Sequence, residues 1–184
     1  MAGKKLFVIF PGMGYTKDKP LLYYGGKIAR NKGYEIIDID YTHLFTAAKF
    51  DAPDVDARIE QSYEMVKDKL ATIDFSAYDS VVFAGKSMGT MLSARYAEEY
   101  SVKANQLWYT PLEPTFEHGC KSAIAFIGTK DPFSDVARMS ETAKAQGIPL
   151  HVYEGGNHSL ETGDIETDIK TLGDVMKLTE EFLK

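Results

Sequence analysis

The sequence predicts an α/β protein: a three-layer sandwich with a mostly parallel six-stranded sheet and helices on both faces. Three observations point there. Six short apolar runs rich in Val, Ile, Phe and Tyr alternate with longer stretches of helical periodicity. Several runs are apolar on both faces, which suits strands covered on both sides. The connections are short, so neighbouring strands are joined through crossover helices.

The first run, KLFVIF (5–10), stops at Pro11 and Gly12. Pro20 can open a helix over 21–32, since its missing N–H costs nothing in the first turn, and Gly33 closes it. YEIIDID (34–40) is the second run. Ile59, Val66, Leu70 and Ile73 then form a stripe at helical spacing. DSVVFAG (79–85) is the third run. The helix after it, MGTMLSARYAEEY, carries Gly89, Thr90, Ser93, Ala94 and Ala97, small enough for close approach to the sheet. NQLWYT (105–110) and SAIAFIG (122–128) follow. Ser134 or Asp135 caps a helix running to Gln146, with Gly147 as its stop. PLHVYEG (149–155) is the last run. Ile165, Ile169, Leu172 and Met176, with Phe182 further on, mark the final helix.

The 184 residues make one domain, 1–184, with a substantial core. A 44% apolar share rules out a disordered chain. The net charge of -6, with no run of Lys or Arg, argues against nucleic-acid binding and against docking on an anionic membrane. Cys120 is the only cysteine, so no internal disulfide forms, and no Cys/His cluster suggests a metal. Lys4 and Lys5 precede an apolar run that Pro11 ends too early for a signal-peptide core. No stretch reaches the length of a membrane span. The expected location is cytoplasmic.

In a parallel sheet, functional groups collect just beyond the carboxyl ends of the strands. The stretch VVFAGKSMGT (81–90) puts Ser87 there. A phosphate-binding loop ending in GKS needs a glycine five residues before Gly85, where Ser80 stands, and needs Val81 to Phe83 to be loop. The other reading is G-x-S-x-G. A nucleophilic serine on a sharp strand-to-helix turn requires small residues two before and two after it, and Gly85 and Gly89 supply them.

A serine needs a base. His151 lies inside a run and is read as packed. His118 reads as a solvated loop residue, and His43 precedes the serine. His158 follows the last strand in EGGNHSL, on a glycine-rich loop able to reach the serine; otherwise it is a loop histidine ahead of the last helix. A base needs a carboxylate to orient it. Asp131, directly beyond a strand and before Pro132, is preferred over Asp135; its plain alternative is a turn aspartate. An oxyanion needs fixed N–H donors. The Met88 N–H at a helix start is one, and Met13 in the turn FPGMGY is the other. The same turn lacks the third glycine of a dinucleotide fingerprint.

With Ser87, Asp131 and His158 in that chain order, the sequence resembles the α/β-hydrolase superfamily from VIFPGMG to the final helix. Small lidless members, dienelactone-hydrolase-like or carboxylesterase-like, are the nearest in character. Two departures stand out. Pro11-Gly12 replaces the His-Gly of many oxyanion loops, and the connector 111–121 is too short for a helical lid. The resemblance implies a reduced α/β-hydrolase fold without a lid domain. It implies a serine hydrolase acting on a small ester, thioester or lactone, with Ser87 as nucleophile, His158 as base, Asp131 as its orienting acid, and Met13 and Met88 as oxyanion donors. No metal or organic cofactor enters that chemistry. Tyr15, His43, Leu44, Leu112 and Phe133 are the expected substrate-binding side chains, and Lys86 is expected to face solvent or pair with a carboxylate. The implied partner is a small-molecule acyl substrate, with a second copy of the chain able to cover an open site. A ligand- or partner-binding protein of the same fold is the alternative.

Overall fold

The computed structural model describes residues 3–45, 53–120 and 122–183. Six strands alternate with five helices: β1 (Lys5–Phe10), α1 (Pro20–Asn31), β2 (Tyr34–Asp38), α2 (Val55–Leu70), β3 (Ser80–Lys86), α3 (Met88–Glu99), β4 (Asn105–Tyr109), β5 (Ala123–Gly128), α4 (Val136–Gln146), β6 (Leu150–Tyr153) and α5 (Ile165–Phe182). Single 3₁₀ turns follow β2, α2 and β4. The strands lie in the order β2-β1-β3-β4-β5-β6, and every pairing is parallel. The chain steps from β1 outward to β2, then returns to lay β3 on the other side of β1. Loops at that reversal diverge and leave a crevice at the strand ends. The crevice lies between the end of β1 and the end of β3, where Phe10 is in register with Gly85.

The period of two along each strand divides the core. Phe7, Ile9, Val82, Ala84, Leu107 and Phe126 face α1 and α5. Leu6, Val8, Phe10, Val81 and Phe83 face α2 and α3. Trp108, Ala125 and Ile127 face α4 and part of α3. A sheet covered on both sides exposes no backbone groups on its faces, and its strands are apolar throughout.

The helix ends follow the local signals. Pro20 occupies the first turn of α1. Of the two candidate caps for α4, Asp135 does the work: its carboxylate accepts the Arg138 N–H, and Gly147 ends the helix at φ 69°. The final helix departs from expectation. Ile165 and Ile169, read as part of a buried stripe, are 71% and 65% exposed. The first turns of α5 run past the packed layer, and the stripe meets the core only from Leu172 onward. His151 packs as expected, its ring stacked on Phe126. His118 is not simply solvated: its Nδ1 bonds Glu98 Oε2 at 2.7 Å, and that bond holds the Glu98 carboxyl below its usual range.

Phe83 is fully buried and its ring meets Phe10, Phe75 and Tyr96. Truncation there leaves a cavity that rigid strands cannot collapse around. Phe83→Ala should lower stability by about 3–5 kcal/mol, read from the urea midpoint at constant slope.

Candidate active site

Ser87 directly follows β3 and precedes α3 with φ 54° and ψ -124°. That backbone region is sparsely populated for a residue with a side chain and costs on the order of 1–3 kcal/mol. Several bonds hold it. The Ser87 N–H donates to Tyr109 O at 3.0 Å, and Ser87 O accepts from the Thr90 N–H and hydroxyl at 2.9 and 2.7 Å. The turn closes only because its neighbours lack side chains. A Cβ on Gly89 would lie 2.1 Å from Phe10 O, and one on Gly85 would lie 2.6 Å from the Thr90 backbone.

The base arrives on the loop after β6. Asn157 builds that loop: its side-chain oxygen accepts the N–H groups of Ser159 and Glu161, and its own N–H donates to Glu161 O. The acid arrives on the loop after β5. Lys130 N–H donates to Gly156 O and ties the two loops together. The contact is close enough that a Cβ on Gly128 would lie 2.0 Å from Gly156 O.

These loops bring three side chains into one chain of bonds. His158 Nε2 is 2.7 Å from Ser87 Oγ, and His158 Nδ1 is 2.7 Å from Asp131 Oδ2. Asp131 Oδ1 accepts the Phe133 N–H at 3.0 Å. A carboxylate only accepts, so Nδ1 carries the ring proton and Nε2 is left to accept from the serine hydroxyl. Burial pushes the His158 pKa below its usual value; Asp131 opposes that and the charge of Lys86 reinforces it.

The loop after β1 lies against the elbow. A Cβ on Gly12 would meet Lys86 O at 2.9 Å and Ser87 Cβ at 3.3 Å. Gly12 and Tyr15 exchange two backbone hydrogen bonds, which leaves the Met13 N–H outside the turn's own bonding. Met88 begins α3, so its N–H has no partner within the helix. Both residues are buried at the site.

Of the expected substrate-binding residues, Tyr15 belongs to this loop and is buried, with its pKa pushed up to about 12 mainly by that burial. Phe133 is 41% exposed and meets the His158 ring edge-on at 4.8 Å. Leu44 packs on the cluster containing Met13 and Met88. His43 lies on the exposed side of the 3₁₀ turn 42–45, and Leu112 is half-buried ahead of the turn 113–117.

Sequence reasoning missed two residues. The Tyr41 hydroxyl, fully buried, donates to Pro11 O at 2.7 Å and pins the start of the β1 loop. Lys86, expected to face solvent or pair with a carboxylate, is 1% exposed; the Asp131 charge acts on it, and among the described residues no carboxylate makes a direct ion pair with it. A polar residue next to the nucleophile carried no signal of its burial; only its place in an inward-facing register could have given one. The rim is also tighter than a chain without a lid suggested. Ser87 is 1% exposed, so the imidazole, 15% exposed, is the part of the triad that solvent meets.

The sequence profile of an alpha/beta hydrolase domain matches residues 3–184. The chain belongs to the α/β-hydrolase family. Solved α/β-hydrolase-type structures share its fold at low identity. An esterase from Pyrococcus furiosus is 13% identical with a TM-score of 0.70, covering 99% of this chain and 82% of its own. An alpha-beta serine hydrolase homologue from Coxiella burnetii is 15% identical with a TM-score of 0.69, covering 98% and 85%. Est1E from Butyrivibrio proteoclasticus is 12% identical with a TM-score of 0.67, covering 98% and 89%. No curated protein matches the chain. Among the described residues the connector after β4 holds a 3₁₀ turn and no helical lid. No helix of the described residues is long and apolar enough to cross a membrane, and no cluster of His, Cys, Asp and Glu could hold a metal ion.

Gly89 tests the elbow directly. An added methyl would strike the Phe10 carbonyl, a backbone atom that cannot move without shifting β1. Gly89→Ala should lower Tm by several degrees, at roughly 2–4 °C per kcal/mol for a chain of this size. A crystal structure of the variant should show the Ser87–His158 bond lengthened.

Proposed function

We propose that the chain is a serine hydrolase that cleaves a small carboxylic ester, thioester or lactone through an acyl-enzyme. The observation that carries this reading is the unbroken bond chain from Ser87 through His158 to Asp131. Ser87 Oγ attacks the carbonyl carbon while its proton passes to His158 Nε2. Asp131 holds the imidazole in the tautomer that can accept and stabilises the imidazolium. The carbonyl oxygen, now negative, is held by the N–H groups of Met13 and Met88, the second aligned with the positive end of α3. The leaving group departs with the proton from His158, and water releases the acyl group by the same route.

The pocket residues in this reading are Tyr15, Leu44 and Phe133 beside the triad, with His43 and Leu112 at the rim. A groove of about 370 Å³ runs from Tyr15 past Ser159 and Leu160 to Ile165 and Ile169. Glu161 and Asp168 also line it and no triad residue does; Tyr15 on the β1 loop and Ser159 beside His158 link it to the site, and on this reading it takes the apolar part of a small acyl group. The fold shared with an esterase makes esters the first substrates to try.

Ser87→Ala should reduce kcat for p-nitrophenyl acetate by about 10⁶, leaving the urea midpoint in place, and Asp131→Asn by about 10⁴. A fluorophosphonate probe should add its mass at Ser87. Absence of labelling on folded wild-type protein would favour the ligand-binding alternative.

The pH profile gives a second check. The base acts only when neutral, and its pKa lies below the usual 6.5. The rate kcat/KM should therefore hold through pH 6.5 and fall only as pH drops through the lower value.

A further inference from the structure

Lys86 has no part in the steps above, yet it is the most costly side chain in the site to bury. It retains 1% of its surface. An ammonium removed from water loses several kcal/mol of solvation unless something in the protein replaces it. Among the described residues no hydrogen bond reaches its Nζ. Its Nζ lies over the Tyr15 ring, 4.9 Å from the centroid. The alternation of β3 turns Lys86 to the same face as Val82 and Ala84, the side of α1 and α5. From there its charge acts on Asp131 after β5 and on His158 after β6. The charged and titratable groups facing it come from four segments: Tyr15 after β1, Lys19 ahead of α1, Asp131 after β5 and His158 after β6. Glu161 in turn acts on Tyr15.

We propose that Lys86 is a positioning residue whose buried ammonium balances the charge of Asp131, so that His158 stays neutral until Ser87 gives up its proton. This rests on the serine-hydrolase reading. The charges add up as follows. At rest the cluster holds Asp131 at -1, Lys86 at +1 and neutral His158, and sums to zero. In the tetrahedral intermediate the new Ser87 Oγ–carbon bond has formed and the carbonyl electron pair has moved to oxygen. His158 is then +1 and the oxyanion -1, and the sum is again zero. Without Lys86 the resting cluster carries an unbalanced negative charge in a dry site. The cheapest remedy is to protonate His158 in advance, which occupies the base.

Titration agrees in direction. Burial brings the Lys86 pKa down to about 7, with Asp131 opposing and Lys19 adding to the fall. The His158 pKa is pushed down first by burial, opposed by Asp131, and further by Lys86. Lys86 is therefore charged as pH falls below about 7, and the charge sums above apply on that acid side.

The test is the acid limb of kcat/KM for p-nitrophenyl acetate in wild type, Lys86→Met and Lys86→Arg. Lys86→Met should move the limb up by roughly one pH unit, the usual effect of one charge on a buried neighbour. Lys86→Arg keeps the charge and should leave the limb in place. A Lys86→Met limb that coincides with wild type overturns the proposal, as does an equal shift in both variants. NMR titration of the His158 imidazole reads the same coupling without turnover. The imidazole pKa should be higher in Lys86→Met, or in Lys86→Gln where the first variant does not fold, than in wild type, and an equal value overturns the proposal. A wild-type protein that hydrolyses no ester would sink the serine-hydrolase reading, while the imidazole titration would still decide the coupling.

Discussion

The site depends on one backbone contact: α3 enters so close to the end of β1 that only hydrogen fits between Gly89 and the carbonyl of Phe10. Everything local follows from that approach. It forces the turn at Ser87 into its strained backbone and lifts the hydroxyl above the sheet. It sets the first turn of α3, with its positive end, beside the loop that leaves β1. Parallel pairing of β1 and β3 makes the contact reproducible, because Phe10 and Gly85 are held in register by the ladder rather than by flexible side chains. A helix start and a strand end fixed in this way present two N–H groups at no further conformational cost.

Asp131 and His158 are placed by a second contact of the same kind. Gly128 ends β5 against the Gly156 carbonyl, and the Lys130 N–H bonds that carbonyl as well. The two loops therefore behave as one unit, though 27 positions separate Asp131 from His158. The bonded chain Asp131–His158–Ser87, drawn from three segments, depends on this rigidity. Its two bonds are 2.7 Å, and a shift of about 1 Å in either loop would break them.

Much of this was legible in the residues. The six strands, their parallel sheet and the helices between them followed from apolar runs and their spacing, and the turn at Ser87 followed from two glycines around a serine at a strand end; the order of the strands in the sheet did not. What escaped has physical causes. Periodicity treats all helix turns alike, so Ile165 and Ile169 read as core although α5 overshoots the layer it packs against. Composition treats lysine as a surface residue, and burial of Lys86 depends on which face its strand register assigns to it. Tyr41 offered no local pattern, since its hydrogen bond to Pro11 joins segments 30 positions apart. Distance in sequence hides such a contact even where both partners are in view.

Without a lid, something else must cover Ser87 at the end of β3. Here the rim itself does so. Met13 and Met88 pack under Leu44 in one cluster, Phe133 lies edge-on to the imidazole, and Tyr41 ties down the β1 loop from within. Ser87 and the Asp131 carboxylate are left almost without solvent contact, while the edge of His158 remains reachable. In so dry a pocket each charge acts over a longer range than it would in water. A charge on Lys86, which is 1% exposed, therefore acts on its neighbours with little screening by solvent. On the reading proposed for Lys86, that charge comes from β3 itself, at the inward register directly before Ser87.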